Sequence, residues 1–213
     1  MRSVLCYGDS ITWGSQPAGR DRHAFSDRWP SVLQAGLGDR ALVIAEGLRG
    51  RTTAFDEHLA DCDRNGARIL PTILYTHAPL DLVILMLGSN DLKPAIAGTA
   101  VAATQGMRRL IEQVQLCALR DNSTEPPAVL VVAPPPLSET ANPLFGAMFA
   151  GRIAESRMLA SFYADLADEM GCGFFDAGSV AATSPIDGVH LDAENTRAIG
   201  RGIEPVVRMM LGL

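Results

Sequence analysis

Apolar residues recur along the chain in two rhythms. Short runs at residues 4–7, 42–45, 82–87, 129–133 and 174–175 predict five strands. The third and fourth runs are continuously apolar, as strands covered on both faces must be. Between them the apolar positions repeat at helical spacing: Met107, Leu110, Ile111, Val114 and Cys117; Leu159, Phe162, Tyr163, Leu166 and Met170; Ile199, Ile203, Val206 and Met210. Asp192 can cap the start of the last helix. A further helix is expected over about 26–37, and another within 57–77, interrupted at Pro71. Strand–helix alternation of this kind implies an α/β fold. The expected architecture is a three-layer, flavodoxin-like sandwich with a five-stranded parallel sheet, and its functional loops belong at the carboxyl ends of the strands. The triple proline Pro134–Pro136 and residues 183–189 read as loops.

Length and composition narrow the picture. The 213 residues suit one domain, 1–213, and 47% hydrophobic residues against 20% charged ones allow a large core. Net charge is −6 and Lys and Arg form no cluster. That argues against nucleic acid or an anionic membrane surface as a partner. The first residues are too short an apolar run for a signal-peptide core, and no run approaches bilayer length, so a cytoplasmic protein is expected. Cys6, Cys62, Cys117 and Cys172 form no CxxC pair and read as free, mostly packed thiols.

The chemistry-bearing residues fall at predicted strand ends. The first strand leads into Gly8-Asp9-Ser10-Ile11-Thr12-Trp13-Gly14, which exposes a serine at the sheet edge. A serine hydroxyl is a weak nucleophile and needs a neighbouring base. The second strand ends in Glu46-Gly47-Leu48-Arg49-Gly50-Arg51-Thr52, where Gly47 or Gly50 could lend a backbone N–H to an oxyanion. The third ends in Gly88-Ser89-Asn90-Asp91, where Asn90 could lend an amide N–H to the same oxyanion. Near the carboxyl terminus, Asp187-Gly188-Val189-His190 spaces a carboxylate and an imidazole so that Asp187 can hold Nδ1–H and leave Nε2 free to take a proton. Each motif alone reads equally as a glycine turn, a helix cap or a loop histidine. Together they place nucleophile, oxyanion donors, orienter and base on one edge.

These blocks resemble those of the SGNH (GDSL-type) hydrolases. Gly8-Asp9-Ser10 is similar to the family's first block, Gly88-Ser89-Asn90-Asp91 to its third, and Asp187 to His190 to its last. Gly50 matches the second-block glycine by its place before Thr52, with Gly47 the alternative. Residues 8–14, 46–53, 81–91, 129–137 and 174–180 resemble the bacterial arylesterase/acyltransferase branch. The resemblance implies the SGNH hydrolase fold, hydrolysis of short-chain and aryl esters, acyl transfer to alcohols or peroxide, and a homo-oligomer, since several members assemble as octamers.

The expected mechanism is a two-step acyl transfer. Ser10 attacks the carbonyl as His190 takes its proton, Asp187 orients His190, and Ser10 N–H, Gly50 N–H and the Asn90 amide hold the oxyanion. Asp9 is expected to bond loop backbone rather than act on substrate. Trp13, Leu137, Phe145, Phe149 and Val189 lie in or beside the edge loops and are candidates for an apolar substrate mouth. Leu144 belongs to the same group, and the apolar side chains of 142–149 also fit a subunit contact. Arg49 and Arg51 could shape substrate preference, but a surface or subunit contact is the favoured expectation. His23, His58, His77 and His190 lack metal-ligand spacing, so no metal and no cofactor is expected, and the partner is a small ester. Two other readings remain open. A carbohydrate acetyl esterase, thioesterase or lysophospholipase would use the same triad. A flavin- or phosphate-binding protein would use the first loop, but it would lack a Walker lysine or GxGxxG and leave Asp187 and His190 without a task.

Overall fold

Five strands, β1 (Arg2–Gly8), β2 (Ala41–Gly47), β3 (Leu82–Met86), β4 (Ala128–Ala133) and β5 (Gly173–Asp176), form one sheet in the order β2-β1-β3-β4-β5. All four pairings are parallel. The computed structural model describes the whole chain except residues 18, 20 and 121–124. Among the described residues seven α-helices accompany the strands: α1 (Ser10–Trp13), α2 (Trp29–Leu37), α3 (Gly66–His77), α4 (Ala100–Arg120), α5 (Pro143–Met148), α6 (Ile153–Glu169) and α7 (Ala193–Leu211).

Alternate strand residues face opposite sides of a sheet, and the core divides accordingly. Leu5, Tyr7, Val83, Leu85 and Val131 pack with Leu70 and Leu74 of α3, Leu110 and Ile111 of α4, and Leu159 and Tyr163 of α6. Val4, Cys6, Ile84, Met86, Leu130 and Val132 pack on the other face with Trp29 and Leu33 of α2 and Ile199, Ile203 and Val207 of α7. The fold is therefore the three-layer α/β sandwich expected from the alternation. Two of its inner strands, β3 and β4, are apolar throughout because both faces are covered.

Strand order reverses at β1: the chain steps from β1 to β2 on one side, then returns to β3 on the other. Open α/β sheets form a crevice at such a switch point, and Ser10 follows β1 directly. Buried polar groups fix this edge. Tyr7 Oη–H donates to Gly66 O at 2.8 Å, Tyr163 Oη–H to Leu87 O at 3.1 Å, and Trp29 Nε1–H to Thr12 Oγ1 at 3.3 Å.

Two boundaries differ from the sequence reading. Residues Phe25–Asp27 form a separate 3-10 turn, so α2 begins at Trp29, with Pro30 in its first turn where no N–H is needed. Pro71 does not interrupt α3. Proline removes the N–H that would bond the carbonyl four residues back, here Ala67 O. Gln113 of α4 supplies the missing donor, its Nε2–H bonding Ala67 O at 2.7 Å. A side chain from a neighbouring helix thus compensates the break.

Candidate active site

The strand exit sets Ser10. Asp9 precedes α1, and its Oδ1 accepts the Ile11 N–H at 2.9 Å, so the carboxylate caps the turn that begins with Ser10. Ser10 is 6% exposed. From the opposite end of the chain, His190 brings Nε2 to 3.0 Å from Ser10 Oγ. Its Nδ1–H donates to Asp187 Oδ2 at 2.8 Å, while Asp187 Oδ1 accepts the backbone N–H groups of Val189 (3.0 Å) and His190 (2.9 Å). With both oxygens engaged and no exposure, the Asp187 carboxylate is locked in place. The segment is held from outside as well: Ser138 N–H bonds Gly188 O, Ser184 N–H bonds His190 O, and the His23 ring bonds Leu191 O at 2.9 Å. α7 then starts at Asp192, which caps it through the Asn195 N–H, as expected. A hydroxyl, an imidazole and a carboxylate in this line can pass the hydroxyl proton to Nε2 and stabilise the resulting imidazolium.

The two candidate glycines separate clearly. Gly47 closes β2 against α1, where a Cβ would lie 2.3 Å from Trp13 N; it serves packing. Gly50 has φ +80° and lines the cavity that holds Ser10, Asn90 and His190. Among the described residues, neither the Ser10 nor the Gly50 N–H has a protein acceptor, which leaves both available to a ligand. Asn90 is more committed. Its Nδ2 amide lies 3.2 Å from Asp9 Oδ2 and 3.2 Å from Arg51 O. Both amide hydrogens therefore have long protein contacts, and donating to an oxyanion would share or release one of them.

Behind Asn90 lies a buried polar layer. Asp91 is fully buried and accepts the Thr53 N–H and Thr53 Oγ1–H. Burial pushes the Asp9 carboxyl up to about 6, against the lowering effect of the Ile11 N–H, and pushes Asp91 up to about 7, against the Thr53 bonds. Arg51 is 4% exposed. It stacks over the Tyr7 ring at 4.1 Å and donates through Nη1 to Gly8 O at 2.9 Å and to Glu46 O. This overturns the expectation of a surface or subunit contact for Arg51. Its guanidinium is an internal brace joining the ends of β1 and β2. Asp9 bonds backbone as expected, and it also holds the Asn90 side chain.

The expected substrate mouth is only partly assembled. Phe145, Phe149 and Val189 line the Ser10 cavity, of about 450 Å³, and the Phe145 and His190 rings meet nearly perpendicular with centroids 5.6 Å apart. They also border an adjoining cavity of about 320 Å³, and Leu137 lines only that one. Trp13 lines neither, because the guanidinium groups of Arg22 and Arg49 flank its ring at 4.7 and 5.3 Å. Sequence reasoning missed Asp61, Arg64, Lys93 and Met148, all on the wall of the Ser10 cavity. Lys93 carried a signal, since it is a charge two residues past Asp91 on a strand-end loop. Arg64 comes from the long segment before α3 and carried none.

Comparison with known proteins agrees with this geometry. Residues 6–197 match the GDSL-like lipase/acylhydrolase family. The chain belongs to that family. Solved structures similar to it include a carbohydrate acetylesterase family member from Sinorhizobium meliloti, 67% identical, TM-score 0.98, covering 100% of each chain. A second carbohydrate acetylesterase from the same organism and the native M. smegmatis aryl esterase are each 42% identical, with TM-score 0.93, covering 99% of this chain and 100% of theirs. No curated protein sequence matches significantly. Like those structures, this family member has the SGNH hydrolase fold, and it is a carboxylic ester hydrolase. Among its described residues no helix is long and apolar enough to cross a membrane.

Proposed function

We propose that this esterase cleaves short-chain acyl and aryl esters through an acyl-enzyme on Ser10. One observation carries the reading: the unbroken line from Ser10 Oγ to His190 Nε2 at 3.0 Å and from Nδ1 to Asp187 at 2.8 Å. His190 takes the Ser10 proton as Oγ attacks the carbonyl carbon. The N–H groups of Ser10 and Gly50, with the Asn90 amide, stabilise the oxyanion. His190 then gives the proton to the leaving alcohol, and water attacks the acyl-enzyme with the same imidazole as base. An alcohol or peroxide in place of water gives acyl transfer. Phe145 and Phe149 shield the imidazole and limit the acyl chain. Acetylated carbohydrate is a second reading, supported by the 67%-identical acetylesterase family member and by the polar wall of Arg49, Asp61 and Arg64.

The test is a series of 4-nitrophenyl esters from acetate to palmitate, run with acetylated sugars on the wild type and Ser10→Ala. Turnover should be fastest with acetate or similarly short chains and fall by about 10⁶ in Ser10→Ala. An optimum at eight carbons or longer, or full activity in Ser10→Ala, sinks the proposal.

A further inference from the structure

The cavity in front of Ser10 carries more positive charge than its own carboxylates answer. Arg49, Arg64 and Lys93 line it, against Asp61 alone. Arg64 is tied down, with Nη1 2.8 Å from Glu57 Oε2 and Nη2 3.9 Å from Asp61 Oδ1. Arg49 lies over the Trp13 ring, and its Nη2–H reaches Gly19 O at 3.5 Å.

Lys93 is different. It is 9% exposed, and among the described residues its ammonium has no hydrogen-bond acceptor and no carboxylate within 4 Å. The nearest ring, Phe149, has its centroid 6.0 Å away. Glu57, and more weakly Asp9 and Asp91, act on it from a distance, but their oxygens are engaged by Arg64, Ile11, Asn90 and Thr53. Burial holds the Asp91 carboxyl at about 7, so near neutrality it is only partly charged. The ammonium keeps some contact with solvent, but partial withdrawal from water without a protein acceptor still has a cost. A ligand that brings an anion into the cavity offsets that cost.

The position of Lys93 says where the anion would sit. Lys93 borders both the Ser10 cavity and a second one of about 430 Å³, whose wall joins apolar Leu59, Ile96 and Met148 to the carboxylates of Asp56 and Glu57, which are paired with Arg68 and Arg64. Met148 borders both as well. The ammonium therefore stands where the two spaces meet, on the path of a group extending away from Ser10.

We propose that Lys93 is a specificity-determining residue that selects esters carrying a carboxylate or similar anionic oxygen group a few bonds from the scissile carbonyl. The inference rests on the esterase reading above. A charge-assisted contact between the ammonium and that group would lower KM for the anionic ester.

Two matched pairs test it, each corrected for uncatalysed hydrolysis. On the acyl side, 4-nitrophenyl hydrogen glutarate is compared with 4-nitrophenyl valerate. On the alcohol side, 3-acetoxybenzoate is compared with phenyl acetate. In one pair the wild type should favour the anionic ester by about tenfold or more in kcat/KM, mainly through KM. Lys93→Met should erase that preference, Lys93→Arg should keep most of it, and added salt should weaken it. If Lys93→Met lowers both members of each pair equally, Lys93 is only a packing residue and the proposal fails. Calorimetric titration with glutarate and with 3-hydroxybenzoate gives a readout that needs no turnover. Binding by the wild type that is lost in Lys93→Met supports the anion site even if no ester is cleaved, an outcome that would count against the esterase reading instead. No anion binding together with no preference between esters overturns the inference.

Discussion

Replacing Asp187 by Asn isolates the role of the proton on His190. The substitution keeps shape and volume in a site with no exposure, so the fold should persist. The amide has two orientations, and the structure chooses between them. Oδ1 of Asp187 accepts two backbone N–H groups, from Val189 and His190, while Oδ2 accepts one ring N–H at 2.8 Å. An Asn –NH₂ turned toward the two backbone donors would set donor against donor. The amide oxygen therefore stays there and the –NH₂ faces Nδ1. Nδ1 must then accept, which moves the ring proton to Nε2. An Nε2 that already carries a proton cannot take one from Ser10, although it still lies 3.0 Å from Oγ. Loss of the correct tautomer in such triads costs about 10⁴ in kcat, or about 5.5 kcal/mol of barrier. KM should change little, because nothing in contact with substrate has moved. The assay is steady-state hydrolysis of 4-nitrophenyl acetate by Asp187→Asn beside the wild type, with thermal unfolding to establish an intact fold. A folded variant within tenfold of wild-type kcat would refute the assigned orientation and the base role of His190 together.

Two further predictions concern the scaffold. Gln113→Leu leaves Ala67 O without its donor and should destabilise by about 1 kcal/mol; in a Pro71→Ala background, where the backbone N–H returns, urea unfolding should show that cost shrink, and an undiminished cost would break the link. Asp91 is held at about 7 by burial, so the folded state keeps a proton that the unfolded chain loses near pH 4; its stabilisation is full below about pH 4 and fades as pH rises through about 7. Asp91→Asn should flatten the fall in urea midpoint between pH 5 and pH 8, and an identical slope in both proteins would contradict the assignment.

The parts of the molecule legible in the sequence are those whose cause is local. The five strands announce themselves because each apolar run is short and bounded, and β3 and β4 most clearly because they are buried almost throughout. Asp187 and His190 meet because three residues of turn suffice to bring them together. Gly8-Asp9-Ser10 can be read because a capped turn must follow the strand. What escaped depends on partners far along the chain. Pro71 stays helical because Gln113 of another helix answers Ala67 O. Trp13 is removed from the mouth by Arg22 and Arg49, neither adjacent in sequence. A guanidinium is exposed by default, and only the Tyr7 face and the carbonyls of Gly8 and Glu46 make the interior tolerable for Arg51. Gly47 and Gly50 look alike as letters. Only the approach of α1 to one and the left-handed φ of the other tell them apart.

The same distant partners explain how three separate loops hold one geometry. Arg51 ties its own loop to the ends of β1 and β2, and its backbone oxygen accepts from Asn90. Asn90 in turn reaches Asp9, whose other oxygen caps the turn carrying Ser10. Asp91, next in sequence, fastens Thr53 two residues beyond Arg51. The loops after β1, β2 and β3 are thereby joined in one closed set of buried hydrogen bonds, so none can shift without straining the others. A site whose donors must meet a developing charge without rearranging needs that kind of support. It also explains why two costly buried carboxyls are kept: Asp9 fixes the Asn90 amide and the turn carrying the Ser10 hydroxyl, and Asp91 fixes the loop at Thr53.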